Sequence, residues 1–291
     1  MSTLRCGIIG LGAMGAPMAR HLAARDYLEG VWNRTGSKAE QLAAELGCWR
    51  AGSPAALATR CDILLVCVSA DADLESVVEN SLPGLCTGSA VVDTSTVSPM
   101  ITRKLAGMVA KQGVEYADAP VSGGVEGAIN GRLVSMVGAE LATFSRIKPV
   151  LESYSASVTH MGPVGNGQAS KAVNQVIVAG VAEAVCEALA LAEKLNLPQE
   201  RLLSVLCSGA ADGWFLRHRG VSMLENRFEK GFKQSLVLKD LGIVKALARE
   251  LDIGMPVVEA AIRDYAELVA QGEGNNDISG LIRKKRSERA G

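Results

Sequence analysis

The sequence predicts an α/β fold, a doubly wound and mostly parallel sheet, followed by an all-α second half entered through one long helix. Three observations carry this. Up to Gly162, short apolar runs alternate with helical patterns, the order that builds parallel strands covered on both faces. Beyond Gly162-Pro163 no strand pattern recurs and apolar residues fall at helical spacing. The 291 residues suffice for about two domains, here placed at 1–162 and 163–291.

In the first half the strand-like runs are 6–9, 30–32, 63–68, 90–92, 114–116, 133–137 and 158–160. Helical patterns at 37–46, 72–79 and 98–111 separate several of them. In the second half 164–195 reads as one helix ended by Pro198, followed by helices at 200–208, 221–226, 236–251 and 256–271. Its apolar residues (Val173, Val176, Ile177, Val181, Val185, Leu189) lie nearly all round, the pattern of a central buried helix. At 1.5 Å per residue it would run about 48 Å, more than a small helical domain covers alone, so a homodimer or homotetramer is expected.

Composition excludes several roles. A net charge of −1 gives no global field for nucleic acid or an anionic membrane. The basic cluster Arg283-Lys284-Lys285-Arg286 reads as a solvated end. The weakly polar stretch 172–182 contains Asn174 and Gln175 and is too short to span a bilayer. Of seven cysteines, Cys61, Cys67, Cys186 and Cys207 sit in apolar segments without C-x-x-C pairing, as buried reduced thiols of a cytoplasmic protein do. His21, His160 and His218 are scattered, and no metal site is expected. Arg5 before an apolar run resembles a signal peptide, but glycines interrupt the run where the fold must begin, so the mature chain is expected to start here.

The most specific stretch is Gly10-Leu11-Gly12-Ala13-Met14-Gly15, behind the strand-like 6–9 and ahead of a helical 16–25. Strand, G-x-G-x-x-G and helix together form the turn that binds a dinucleotide pyrophosphate at a helix N-terminus, in a Rossmann-type domain. Gly10 permits the tight turn, Gly12 lets backbone approach the phosphates, and Gly15 lets helix and strand pack closely. Val68, at the end of 63–68, belongs with the cofactor residues. After the second strand an acidic residue would take the ribose hydroxyls of NAD. The chain has Asn33-Arg34-Thr35 there, which repels no phosphate and can pair with one, so NADP is expected and NAD remains possible. Lys38 can reinforce the site.

In the second half Lys171 is the only charged residue from 164 to 182, and its helical neighbours Gly167, Gln168, Asn174 and Gln175 are not acidic. Burial lowers a lysine's pKa and suits it to proton transfer. Asn174 and Gln175 share its face and can orient a hydroxyl or carbonyl. In the loop Asp118-Ala119-Pro120-Val121-Ser122-Gly123-Gly124, a hydroxyl and two side-chain-free N–H groups suit a carboxylate. Trp214, Phe215, Phe232 and Lys233 could shape a substrate pocket in several ways.

These residues add up to a resemblance. The stretch from Ile8 to Leu22 resembles the N-terminal signature of the β-hydroxyacid dehydrogenases, which include 3-hydroxyisobutyrate dehydrogenases, tartronate semialdehyde reductases and succinic/glyoxylic semialdehyde reductases. Asp93-Thr94-Ser95-Thr96, the Ala119-to-Gly124 loop, the run from Gly165 to Gln175, Lys239-Asp240-Leu241 and the run from Asn276 to Leu281 extend it over essentially the whole chain. It implies Lys171 as the catalytic general acid/base and Asn174 at the reacting end of the substrate. Ser122, Gly123 and Gly124 would hold the carboxylate, with Thr96 and Lys239 beside nicotinamide and substrate. Gln175 stands where many members carry a second asparagine, and Asn-Gln at this point resembles the tartronate semialdehyde reductase branch. Imine reductases share the architecture but commonly lack the lysine. A 6-phosphogluconate dehydrogenase has a larger helical domain than this chain can supply. A silent NADP-binding regulator would account for the glycines but not for Lys171.

Overall fold

A computed structural model describes residues 4–228 and 231–287. The chain forms two compact units, one ending at Lys171 and one starting at Ala172. The sheet unit contains β1 (Cys6–Ile9), α1 (Gly15–Ala23), β2 (Leu28–Trp32), α2 (Gly36–Leu46), β3 (Trp49–Arg50), α3 (Pro54–Ala58), β4 (Ile63–Val66), α4 (Asp71–Ser81) and β5 (Ala90–Asp93). It continues with α5 (Pro99–Ala110), β6 (Glu115–Asp118), β7 (Val121–Ser122), α6 (Gly124–Ile129), β8 (Leu133–Gly138), α7 (Leu141–Leu151) and β9 (Ser155–Gly162).

The strand order is β3-β2-β1-β4-β5-β6-β8-β7, with β9 on β8; β3 to β6 are parallel, and β8 runs antiparallel to β6. The chain order reverses direction between β1 and β4, the switch point where open α/β sheets bind ligands at their strand ends. Residues alternate between two cores. Ile8, Ile63, Leu65 and Val92 face Met18, Leu22, Ile147 and Val150, whereas Ile9, Leu64, Val66 and Val91 face Leu57, Leu74, Val78 and Leu105. Burial on both faces is why the central strands are apolar runs rather than alternating ones. Sequence periodicity does not reveal the two-residue strands β3 and β7 or the helices α3, α6 and α7. The two strands are too short to carry a period, and α3 is legible only by its cap. Ser53 Oγ accepts from the Ala56 N–H with Pro54 at the first helical position, as Ser98 and Pro99 do for α5.

The second unit begins within α8 (Asn166–Lys194) and adds α9 (Gln199–Leu206), α10 (Trp214–Leu224), α11 (Gln234–Glu250), α12 (Pro256–Ala270) and α13 (Ile282–Ser287). Helix α10 starts well before the expected 221–226. Ala172, Gln175, Ala179, Ala182, Cys186 and Leu189 are buried on α8 and form a seam spaced three and four apart. Leu241, Val244, Tyr265 and Met223 join the same core. Three sequence expectations need correction. Val173, Ile177 and Val181 are exposed, so α8 is buried on one side rather than all round. At 29 residues α8 is long and apolar enough to cross a bilayer by length and composition; within the helical unit, however, its Gln175 bonds Asp240 and its Glu183 pairs with Lys285. The basic cluster, finally, is no solvated end. Lys285, 6% exposed, sits between Glu183 and Asp264, and Arg286 pairs with Glu193. Isolated buried acids demand such partners. Among the cysteines Cys61 and Cys186 are buried, but Cys67 and Cys207 only partly so; all seven are thiols.

Candidate active site

After β1 the chain turns through Gly10 at φ +93°, a conformation that favours glycine. A Cβ there would stand 2.0 Å from the carbonyl oxygen of Cys67, just past β4, and one at Gly15 would stand 1.9 Å from that of Gly10. At exposed Gly12 a Cβ would meet no protein atom within 4 Å. The fold therefore requires the outer two glycines but not the middle one, and the missing Cβ at Gly12 leaves room for a pyrophosphate to approach. The turn fits a dinucleotide. Asn33 braces it: Oδ1 accepts from the Leu11 N–H at 2.9 Å and Nδ2 donates to the Thr35 carbonyl at 3.0 Å. Arg34, 84% exposed, pairs with Asp73 at 2.8 Å, while Thr35 and Lys38 are exposed beside it. Ala13 is exposed, Met14 half-buried and Leu11 buried.

Farther along the same strand edge, β5 ends in Asp93 and β6 in Asp118, paired in register and both 0% exposed. Asp118 caps the start of α8, accepting from the Gly165 N–H at 2.7 Å and the Gln168 N–H at 2.8 Å. Burial raises its pKa, opposed by those N–H groups. Burial pushes Asp93 up to about 7, although the Ser95 N–H donates to it at 2.9 Å. Gly167 allows this approach, since a Cβ would stand 2.5 Å from the Met136 carbonyl oxygen.

Gln168, 1% exposed, joins the pieces. Its Nε2 donates to the Ser95 carbonyl at 2.8 Å and to Asp93 Oδ2 at 3.2 Å, and its Oε1 accepts from the Val97 N–H at 3.2 Å. Ser95 Oγ in turn accepts from the Val68 N–H at 2.9 Å. Val68, half-buried Thr96 and the first turn of α8 are thus one cluster, and Lys171, 7% exposed, lies three residues past Gln168. Ser122 ends β7, half-buried. Gly123 (φ +120°) and Gly124 (φ +62°) then lead exposed into α6, whose first turn leaves N–H donors suited to a carboxylate.

In the helical unit four side chains form a chain. Asn174 Nδ2 donates to Gln175 Oε1 at 2.9 Å, Gln175 Nε2 donates to Asp240 Oδ2 at 2.8 Å, and Lys239 Nζ lies 3.0 Å from Asp240 Oδ1. Asn174 and Lys239, read separately from sequence, are therefore linked through buried Gln175 and Asp240. Of the residues expected near a pocket, Phe215 is buried, Phe232 is half-buried, Lys233 donates to Asn275, and Trp214 lies exposed with its ring stacked on His218 at 4.3 Å. Sequence reasoning missed the roles of Asp93, Asp118, Gln168 and Asp240. A carboxylate closing an apolar strand run, as in Val91-Val92-Asp93 and Tyr116-Ala117-Asp118, was the available signal, because a charge is buried there only when it is bonded.

Residues 5–162 match the family model described as the NAD binding domain of 6-phosphogluconate dehydrogenase. Residues 165–284 match that described as NAD-binding of NADP-dependent 3-hydroxyisobutyrate dehydrogenase. An uncharacterized oxidoreductase of Shewanella frigidimarina is 36% identical over 98% of this chain and 99% of its own. The 2-hydroxy-3-oxopropionate reductase of Escherichia coli is 35% identical over 96% of each chain. The structure of Mycobacterium tuberculosis 3-hydroxyisobutyrate dehydrogenase with L-serine superposes with a TM-score of 0.90 at 28% identity, covering 98% of this chain and 100% of that one.

Proposed function

Since the chain belongs to the β-hydroxyacid dehydrogenase family, we propose that it is an NADP(H)-preferring reductase of a small semialdehyde, with 2-hydroxy-3-oxopropionate as the first candidate. The observation that carries this reading is Lys171, an almost buried amine in the first turns of α8, with Asn174 one turn farther along the same helix. When bound, a nicotinamide supplies hydride to the carbonyl carbon in reduction and takes it back in oxidation. Lys171 gives its proton to the carbonyl oxygen as that oxygen gains charge, and takes it from the hydroxyl in the reverse direction. Asn174 orients the reacting oxygen, held by Gln175, which Asp240 holds in turn. Ser122 and the N–H groups at Gly123 and Gly124 take the carboxylate, and Lys239 adds positive charge for it. L-serine, present in the relative's structure, is itself a small β-hydroxyacid. The name of the E. coli relative supports 2-hydroxy-3-oxopropionate over larger substrates.

The NADP preference rests on the absence of an acid after β2. Asn33 is engaged by the glycine turn, and Arg34, Thr35 and Lys38 remain on the outer side for a 2′-phosphate. Gly10, Leu11, Gly12, Ala13, Met14 and Gly15 hold the pyrophosphate, and Val68 and Thr96 flank the nicotinamide. The exposed stripe Val173, Ile177 and Val181 supports assembly into a dimer or tetramer, to be read as mass in light scattering. A panel of 2-hydroxy-3-oxopropionate, glyoxylate, succinic semialdehyde and the semialdehyde of 3-hydroxyisobutyrate, each with NADPH and NADH, tests the reading. Higher kcat/KM with NADPH is expected; an NADH preference overturns the cofactor assignment. Turnover of none of the four overturns the substrate class.

A further inference from the structure

We propose that Gln168 is a positioning residue, a cross-tie that fixes the Thr96 loop against the first turn of α8 and so sets Lys171 relative to the nicotinamide side of the site. The inference rests on the roles proposed above for Lys171 and Thr96. Its geometry is independent of them. One buried side chain uses both ends of its amide on a single short loop, bonding the carbonyl of Ser95 and the N–H of Val97, the two neighbours of Thr96. Its backbone N–H is held by Asp118 and its Nε2 also meets Asp93, so the tie is anchored to two strand ends. A core residue needed only for packing would be apolar here. A fully bonded buried amide fixes one arrangement, because any shift of loop or helix leaves a polar group without its partner. Lys171 follows three residues later, on the adjacent turn of the same helix.

The amide is oriented unambiguously. Oε1 faces a donor and Nε2 faces two acceptors, one of them the carboxyl of Asp93. A glutamate at this position reproduces the pattern only when protonated, since its O–H can then donate toward Asp93 or Ser95 while its other oxygen accepts from Val97. Ionised, it places a second carboxylate against Asp93, near Asp118 as well. The other titratable groups facing Asp93 are Cys67 and Tyr116, both driven toward their neutral forms by burial.

The test compares wild type, Gln168→Met, Gln168→Glu and Lys171→Ala, with NADPH and 2-hydroxy-3-oxopropionate as probes and amide hydrogen exchange on the protein without ligands. Gln168→Met is expected to lower kcat ten- to hundredfold, the scale of a small misplacement of reacting groups. NADPH Kd should stay within about threefold. Exchange at the Val97 amide should rise at least tenfold while β5 stays protected. Gln168→Glu should lose activity at pH 8 and recover most of it toward pH 5.5, relative to wild type at each pH, a rescue that loss of packing alone would not give. Wild-type kcat and unchanged Val97 exchange in Gln168→Met overturn the cross-tie. So does a Gln168→Glu profile parallel to that of wild type. If Lys171→Ala turns over normally, the assignment of Lys171 fails, while Val97 exchange still decides whether Gln168 fixes the loop. Should the Met variant not fold, the Glu profile and its exchange at low and high pH decide alone.

Discussion

In the sheet unit the polar groups of the site rest on backbone: Asn33 on the Leu11 N–H, Asp93 on that of Ser95, Asp118 on those of Gly165 and Gln168. In the helical unit they rest on one another, Asn174 on Gln175, Gln175 on Asp240 and Asp240 on Lys239. A backbone donor is fixed by the strand or helix that carries it, so the first arrangement is rigid wherever the fold is. The second is a series in which each member bonds the next, so removing one takes a partner from its neighbours. The difference suits the proposed tasks. A cofactor common to many reactions suits a fixed cradle, whereas a substrate end built from side chains can be retuned by exchanging one amide for another.

The largest expected effect lies on α8, the helix that carries members of both arrangements. Lys171→Ala should lower kcat about a hundredfold to ten-thousandfold, the range of general acid–base catalysis, with NADPH Kd nearly unchanged because the cradle is elsewhere. Near-normal turnover on the folded variant removes the catalytic assignment. Next comes the series itself. Asp240→Ala should destabilise the protein by about 1–3 kcal/mol, since it takes from the buried Gln175 amide the carboxylate it donates to, and Asp240→Asn by distinctly less because the amide can still accept from Gln175. Equal denaturation midpoints for the two would mean that the side chains are not interdependent.

The glycine turn sharpens the comparison from the other side. Gly10→Ala, strained at positive φ and driven into the Cys67 carbonyl, should cost about 1–3 kcal/mol. Gly12→Ala should leave the melting temperature almost unchanged and weaken NADPH binding, because only the ligand needs that space. If both variants melt like wild type, the turn is less rigid than its contacts imply. The smallest effect is on pH dependence. Asp93, ordinarily near 3.8, is raised to about 7 in the fold, so the folded protein keeps a proton that the unfolded chain has already released. Its contribution to stability is complete below about pH 4 and is lost as pH rises toward 7. Between pH 5 and 7 this slope should amount to about 2 kcal/mol and be flattened in Asp93→Asn, as read from urea midpoints.

What can be read from the sequence follows the same division. The glycine turn, Asn33-Arg34-Thr35, the central strands and the long helix are legible because local spacing carries them. Lys171 stands out because no other charged residue occurs in the sequence from 164 to 182. Gln168 is legible only as a neighbour of Lys171, since its side-chain partners are more than seventy residues away. Asp240 bonds Gln175 across 65 residues, a separation no periodicity encodes. Helix α8 reads from sequence as wholly buried because composition gives the amount of apolar surface but not which side of it is covered.

The basic residues of α13 also set an order of events. Arg286 pairs with Glu193, made 93 residues earlier, and Lys285 closes on Glu183 and Asp264, which likewise precede it. On a chain still being synthesised, α8 and α12 emerge carrying acids whose cations have not yet been added. The ion pairs that α13 brings to the bundle can therefore form only after its residues have been added. The sheet unit, complete by Lys171, has no such wait.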